Sequence, residues 1–183
     1  NRYSLWRISE LFMKFTKEDA RKRVLNCTKQ YQQNLLHKKL LIIFRERQDN
    51  SIRFIEVIFH ERNYQHLTGL ELTNTEGKIL QHQSKNFYRK CIENKLGLND
   101  VDKVMGGVNF CLGLSRENDV FIPSSALLED IKKLTSSPSQ VLAIFEKDID
   151  SELYSTVKHV AKGLNLHHLI LPPEINSKIL LPK

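Results

Sequence analysis

The sequence predicts an α+β fold, a small antiparallel β-sheet packed against N-terminal and flanking helices. Three observations predict it. Near the start, apolar residues recur at intervals of three and four, the helical period. From residue 40 the pattern changes to short runs rich in Ile, Val, Leu and Phe, broken by polar turns. Later segments mix such runs with helical spacing, and neither an internal repeat nor a low-complexity linker interrupts them.

Residues 4–15 place Leu5, Ile8, Leu11, Phe12 and Phe15 on one helical stripe. Thr16 reads as the N-cap of a second helix, with Glu18 and Asp19 in the first turn, where negative charge suits the helix dipole. Ala20, Val24, Cys27, Tyr31 and Leu35 form its apolar stripe, and Arg21, Lys22, Arg23 and Lys29 its charged face. Residues 40–44 and the run from residue 52, joined by a polar turn containing Asp49 and Asn50, predict an antiparallel hairpin. On the second strand Phe54 and Ile58 face one way and Ile55, Val57 and Phe59 the other, as in a strand covered on both sides. The strand turns polar at His60, Glu61 and Arg62, and His66 is expected at a strand–turn junction ending in Gly69.

Leu70 and Leu72 then alternate with Glu71 ahead of a turn at residues 74–77. Ser84 caps a helix through Phe87, Cys91 and Ile92 that stops near Gly97. A helical turn from Asn99 ends at Gly106 and Gly107, and residues 108–114 alternate as a strand. Val120, Phe121 and Ile122 form a short strand stopped by Pro123, after which Ser124 or Ser125 caps a helix to about Leu134. A loop at residues 136–139 leads to residues 141–145, apolar on both faces and so a central strand. Leu153, Val157, Val160, Ala161 and Leu164 predict a last helix from near Asp150, closed by Gly163. Residues 166–171 read as an edge strand, ended by Pro172 and Pro173. A single compact domain is expected, with residues 1–34 as a helical lead-in and 35–183 as its main body.

Bulk properties narrow the function. At 183 residues, with 40% hydrophobic and 27% charged residues, the chain has the composition of a globular protein. Its net charge of +7 favours polyanions, nucleic acid ahead of an anionic membrane surface, although many domains carry such an excess without a specific partner. Cys27, Cys91 and Cys111 form no Cys-x-x-Cys pair, so neither a zinc ribbon nor a disulfide framework is indicated. Their apolar neighbours mark them as small buried hydrophobes, and the expected location is the cytoplasm. No uncharged apolar run approaches the ~18 residues a bilayer needs, so no membrane partner is expected. Nucleotide-binding glycine loops and serine-hydrolase elbows are missing.

Several segments carry a family resemblance. They are His66-Leu67-Thr68-Gly69-Leu70, Asn86-Phe87-Tyr88-Arg89-Lys90-Cys91 with Lys95-Leu96, and Pro123 with Leu127-Leu128-Glu129-Asp130-Ile131. Gln140-Val141-Leu142-Ala143-Ile144-Phe145 with Lys147, Leu153-Tyr154-Ser155 and Ala161-Lys162-Gly163 follow in order. Together, over roughly residues 35–165, the chain resembles the phage-associated Barnase–EndoU–colicin–RelE-like (PBECR) nucleases, the group numbered four. Residues 106–118 depart from that pattern. The resemblance implies a barnase-like RNase fold for residues 35–183 and RNA cleavage by attack of the ribose 2′-OH on the neighbouring phosphate. It also implies no metal and no cofactor, and a phage- or prophage-linked toxin or defence effector. RNA is the expected partner, together with an acidic inhibitor or antitoxin protein.

Such chemistry needs a proton acceptor, a proton donor and cations for the charged phosphorane. Within the matched motifs, His66, Thr68 and Lys147 are the catalytic candidates; histidine's ordinary pKa of about 6.5 suits either proton-transfer role. Arg62, Tyr88, Arg89 and Lys90 are the candidate phosphate-binding residues. His66, Arg62 or Lys90, and Lys147 are expected to line one concave surface. Each has a plainer reading as well: a turn-bonding histidine, a solvated lysine at a strand end, a tyrosine packed beside Phe87. His60 and Glu61 face opposite ways on a strand, so at most one can join His66. His167 and His168 lack a third ligand at metal-binding spacing. The readings that compete with a nuclease are a non-catalytic RNA- or DNA-binding module on the same scaffold and a protein-interaction domain.

Overall fold

A computed structural model describes residues 17–68, 84–95, 111–127 and 138–181. The first element is helix α1 (Lys17–Asn34), with Glu18 and Asp19 in its first turn. Among its described side chains Val24, Thr28 and Tyr31 are buried, spaced by four and three. Leu35 and Leu36 still donate to the Tyr31 carbonyl, and His37, at φ 62°, turns the chain out of the helix. Strands β1 (Lys38–Arg45) and β2 (Ile52–Ile58) then form the expected antiparallel hairpin, in register from Lys39↔Ile58 to Arg45↔Ile52. Asp49 closes their turn by accepting from the Ser51 backbone and hydroxyl, next to Asn50 at φ 56°.

Past β2 the chain does not meet a strand–turn junction. It winds through a 3₁₀ turn (Glu61–Asn63) into a short helix, α2 (Tyr64–Thr68). Asn63 drives this: its buried side chain accepts from His60 N–H at 2.9 Å and donates to the Pro123 carbonyl at 2.8 Å. Helix α3 (Ser84–Ile92) buries Phe87, Tyr88 and Cys91. Its stop lies three residues before Gly97, at Asn94, whose φ of 55° lets Lys95 N–H reach the Lys90 carbonyl at 2.7 Å.

Strands β3 (Cys111–Glu117), β4 (Val120–Leu127), β5 (Gln140–Asp148) and β6 (Thr156–Val160) complete a six-stranded sheet in the order β3-β4-β2-β1-β5-β6. The sheet is mixed rather than wholly antiparallel, because β4 lies parallel to β2. Pro123 does not stop β4; a register shift opposite Gly113 and Leu114 absorbs it, and residues 124–127 continue the strand instead of opening a helix. Gln140–Asp148 is interior, as expected, between β1 and β6. The helix predicted from Asp150 is absent: Thr156, Val157 and Val160 are β-branched, and β5 supplies backbone partners that outweigh their helical spacing. Residues 166–171 are likewise no strand but a 3₁₀ turn (Leu166–His168) and irregular chain. Pro173 opens the last helix, α4 (Pro173–Asn176), where its missing N–H costs nothing.

The sheet is covered on both faces. Val24, Tyr31, Val57, Phe59, Tyr64, Phe87 and Tyr88 form the core under α1–α3. Leu41, Ile43, Phe145, Tyr154, Ile175 and Ile179 form a second core under the C-terminal segment. Cys91 is buried as expected and Cys111 half-buried, but Cys27 is exposed, because the buried stripe of α1 runs through Thr28. The predicted elements at residues 4–15, 70–77, 99–110 and 128–134 lie outside the described residues, as does the Thr16 cap.

Candidate active site

On the face under the C-terminal segment, alternation along the hairpin lines up Lys39, Leu41 and Ile43 with Ile52, Phe54 and Glu56. Leu41 sits directly across from Glu56, so Lys39 is a diagonal neighbour of that carboxylate. The Lys39 ammonium lies 3.3 Å from Glu56 Oε2, with the two side chains 19% and 11% exposed. Tyr154, from the turn after β5, donates its hydroxyl to Glu56 Oε1 at 2.7 Å. Lys178, just after α4, places Nζ 3.5 Å from the same oxygen and 5.6 Å above the Phe54 ring. Reciprocal backbone bonds hold these two donors together: Tyr154 N–H to the Lys178 carbonyl at 2.9 Å, and Leu180 N–H to the Tyr154 carbonyl at 2.8 Å.

A fourth group frames the site. Lys147 Nζ donates to the carbonyls of Ser151 (2.6 Å) and Glu152 (3.0 Å) and sits 5.0 Å over the Tyr154 ring. Burial pushes its pKa down, and repulsion from Lys39 adds to that. Burial by itself pushes the Glu56 carboxyl up. The Tyr154 hydroxyl and the ammoniums of Lys39 and Lys178 outweigh it and hold Glu56 below its ordinary value. Tyr154 moves the other way, kept protonated by burial and by its bond to Glu56. The result is an ionised carboxylate able to accept a proton, set between a committed hydroxyl donor and two ammoniums.

Of the residues singled out from sequence, Lys147 borders this surface and the others do not share it. His66 is exposed on α2, whose Tyr64 and Leu67 pack in the core on the opposite face. Helix α2 rests against β4, three strands from β5, or about 14 Å at ~4.8 Å per strand. The expectation that His66 and Lys147 line one concave surface is therefore not met. Thr68 turns its hydroxyl back to the Gln65 carbonyl at 2.7 Å. Arg62 is engaged by both oxygens of Glu117, at 2.7 and 2.5 Å. Arg89 is exposed beside Asn86 at 3.2 Å, and Lys90 is half-buried on the same helix. Tyr88 packs edge-on against Tyr31 and Tyr64 in the core, so its ring is closed to base stacking. His60 lies beside Arg62 and Glu117; burial, then the Arg62 charge, lowers its pKa.

Lys39, Glu56, Tyr154 and Lys178 were missed. A signal for the first two existed: each puts a charge at a strand position in line with apolar inward residues, which demands a partner. Among the described residues, no three His, Cys, Asp or Glu side chains converge as metal ligands. No helix among them is long and apolar enough to cross a membrane.

Residues 23–107 match the family model described as phage-Barnase-EndoU-ColicinE5/D-RelE like nuclease 4, PBECR4. Over that span, a little under half of the chain, the sequence is similar to the PBECR4 family. The PBECR4 segment begins inside α1 and runs through the hairpin, α2 and α3, so it holds Lys39, Glu56, His66 and Tyr88. Lys147, Tyr154 and Lys178 lie beyond it. The similarity points to a nuclease-type protein, and the four described helices and six-stranded mixed sheet make the fold α+β, the class of the BECR nucleases. Comparison with curated proteins and with solved structures found no significant match.

Proposed function

We propose that this protein is a metal-independent endoribonuclease whose scissile phosphate meets Glu56. One observation carries the reading. Glu56 is a nearly buried carboxylate kept ionised by Lys39, Lys178 and the Tyr154 hydroxyl on a single sheet face. In this reading Glu56 takes the proton of the ribose 2′-OH, and the 2′-oxygen attacks the adjacent phosphorus. Lys39 and Lys178 neutralise the phosphorane, and Lys178, the more exposed at 37%, protonates the leaving 5′-oxygen. The products are a 2′,3′-cyclic phosphate and a 5′-hydroxyl. Tyr154 orients the carboxylate. The +7 charge draws RNA to the site and suits an acidic inhibitor protein, as a toxin working in its own cytoplasm would need.

Incubating total RNA with the protein in excess EDTA tests this. Wild type should cleave, Glu56→Gln should lose at least ~100-fold, and His66→Ala should stay near wild type. The reverse pattern would move the site to α2. RNA binding with steep salt dependence and no cleavage would leave a binding module.

A further inference from the structure

We infer that the cleft between the 3₁₀ turn and α3 is a nucleobase-binding subsite, separate from Glu56 and on the other face of the sheet. The cleft holds about 450 Å³ and is lined by Glu61, Lys85, Asn86, Tyr88, Arg89 and Ile92, among others. Its volume admits one nucleotide. Tyr88 supplies the observation that points to a ligand. The residue is 4% exposed, yet its hydroxyl is a buried polar atom that makes no hydrogen bond. Its neighbours do not share that condition: Tyr31 donates to the His60 carbonyl at 2.8 Å, and Tyr64 to the Val24 carbonyl at 2.7 Å. A buried hydroxyl left without a partner forfeits its hydration with nothing in return, so a native one calls for an explanation.

The wall chemistry selects the ligand class. Glu61 and Glu93 stand among the cations Lys85 and Arg89, and Lys95 pairs with Glu93 at 2.8 Å. A bare phosphate would set like charge against the Glu61 carboxylate. A base edge suits the wall better, because it offers an acceptor to the Tyr88 hydroxyl and N–H donors to the Glu61 carboxylate, while Asn86 bonds either. Ile92, 44% exposed, gives an apolar surface for the ring. The subsite would hold a nucleotide of the substrate several positions from the cut. That assignment to a substrate rests on the ribonuclease reading; the existence of the site does not.

Calorimetric titration of the full chain with each of the four ribonucleoside monophosphates, which cannot be cleaved, tests it. At least one should bind to wild type and equally to Glu56→Gln. Tyr88→Phe should weaken that binding roughly tenfold while leaving thermal stability unchanged or raised, since it deletes only an unpaired hydroxyl. Glu61→Gln should change which base is preferred. Failure of all four to bind in the millimolar range, or Tyr88→Phe binding as wild type does, overturns the subsite. Binding that persists in a protein with no cleavage activity sinks the ribonuclease reading and leaves the subsite standing.

Discussion

Glu56 ties stability to pH. Alone under the C-terminal segment it would resist ionisation, but three donors within 3.5 Å reverse the balance. Its folded pKa lies below the ordinary 4.5, so the unfolded carboxyl takes up a proton first as pH falls. The stabilisation it contributes is present above about pH 4.5 and is lost as pH drops through the folded value. Urea unfolding of wild type and Glu56→Gln should therefore differ most at pH 7 and converge toward pH 3, wild type having the steeper acid loss. A gap that stayed constant across that range would mean that the lysines and Tyr154 do not act on this carboxylate.

At the scale of elements, turns decide where strands can pair. The β3–β4 hairpin passes through Asn118 at φ 56°, a backbone region that costs an ordinary L-residue roughly 1–2 kcal/mol. Asparagine tolerates it and glycine tolerates it better. Asn118→Gly should leave the unfolding midpoint equal or higher, whereas Asn118→Val should cost about 1–2 kcal/mol in chemical denaturation. Equal midpoints for the two would show that the turn relaxes without strain. The β1–β2 hairpin and α3 were legible because their signals are local: an Asx turn at Asp49, and a buried trio Phe87, Tyr88 and Cys91 at helical spacing. Strand β6 was not, because Val157, Val160 and Leu164 suit a helix as well as a strand until β5 is beside them.

For the whole molecule, charge and cover act together. The C-terminal segment buries Ile175 and Ile179 against the sheet and in doing so holds Lys178 over Glu56. RNA binding through Lys39 and Lys178 should weaken with salt along a log–log slope of at least about −1.4, from ~0.7 per contact on a single strand. Lys178→Met, assayed on Glu56→Gln so that the RNA stays intact, should flatten the slope by about 0.7. An unchanged slope would remove Lys178 from the RNA contacts and with it the proposed proton donor.

Sequence alone determined the α+β class, α1, the β1–β2 hairpin, α3, the interior strand β5, the basic charge and a resemblance to the nuclease family, which the family model matches over residues 23–107 and not over the later motifs. These follow from periodicity, turn chemistry and composition, all of which act over a few residues. Tertiary structure decided the rest: the parallel β2–β4 pairing, the passage of β4 through Pro123, the strand at Thr156–Val160, and the gathering of charge around Glu56. An edge strand needs backbone partners from elsewhere in the chain, and a buried carboxylate needs cations that only register and long-range packing bring within reach. Tyr154 and Glu56 stand 98 residues apart in sequence and 2.7 Å apart in space.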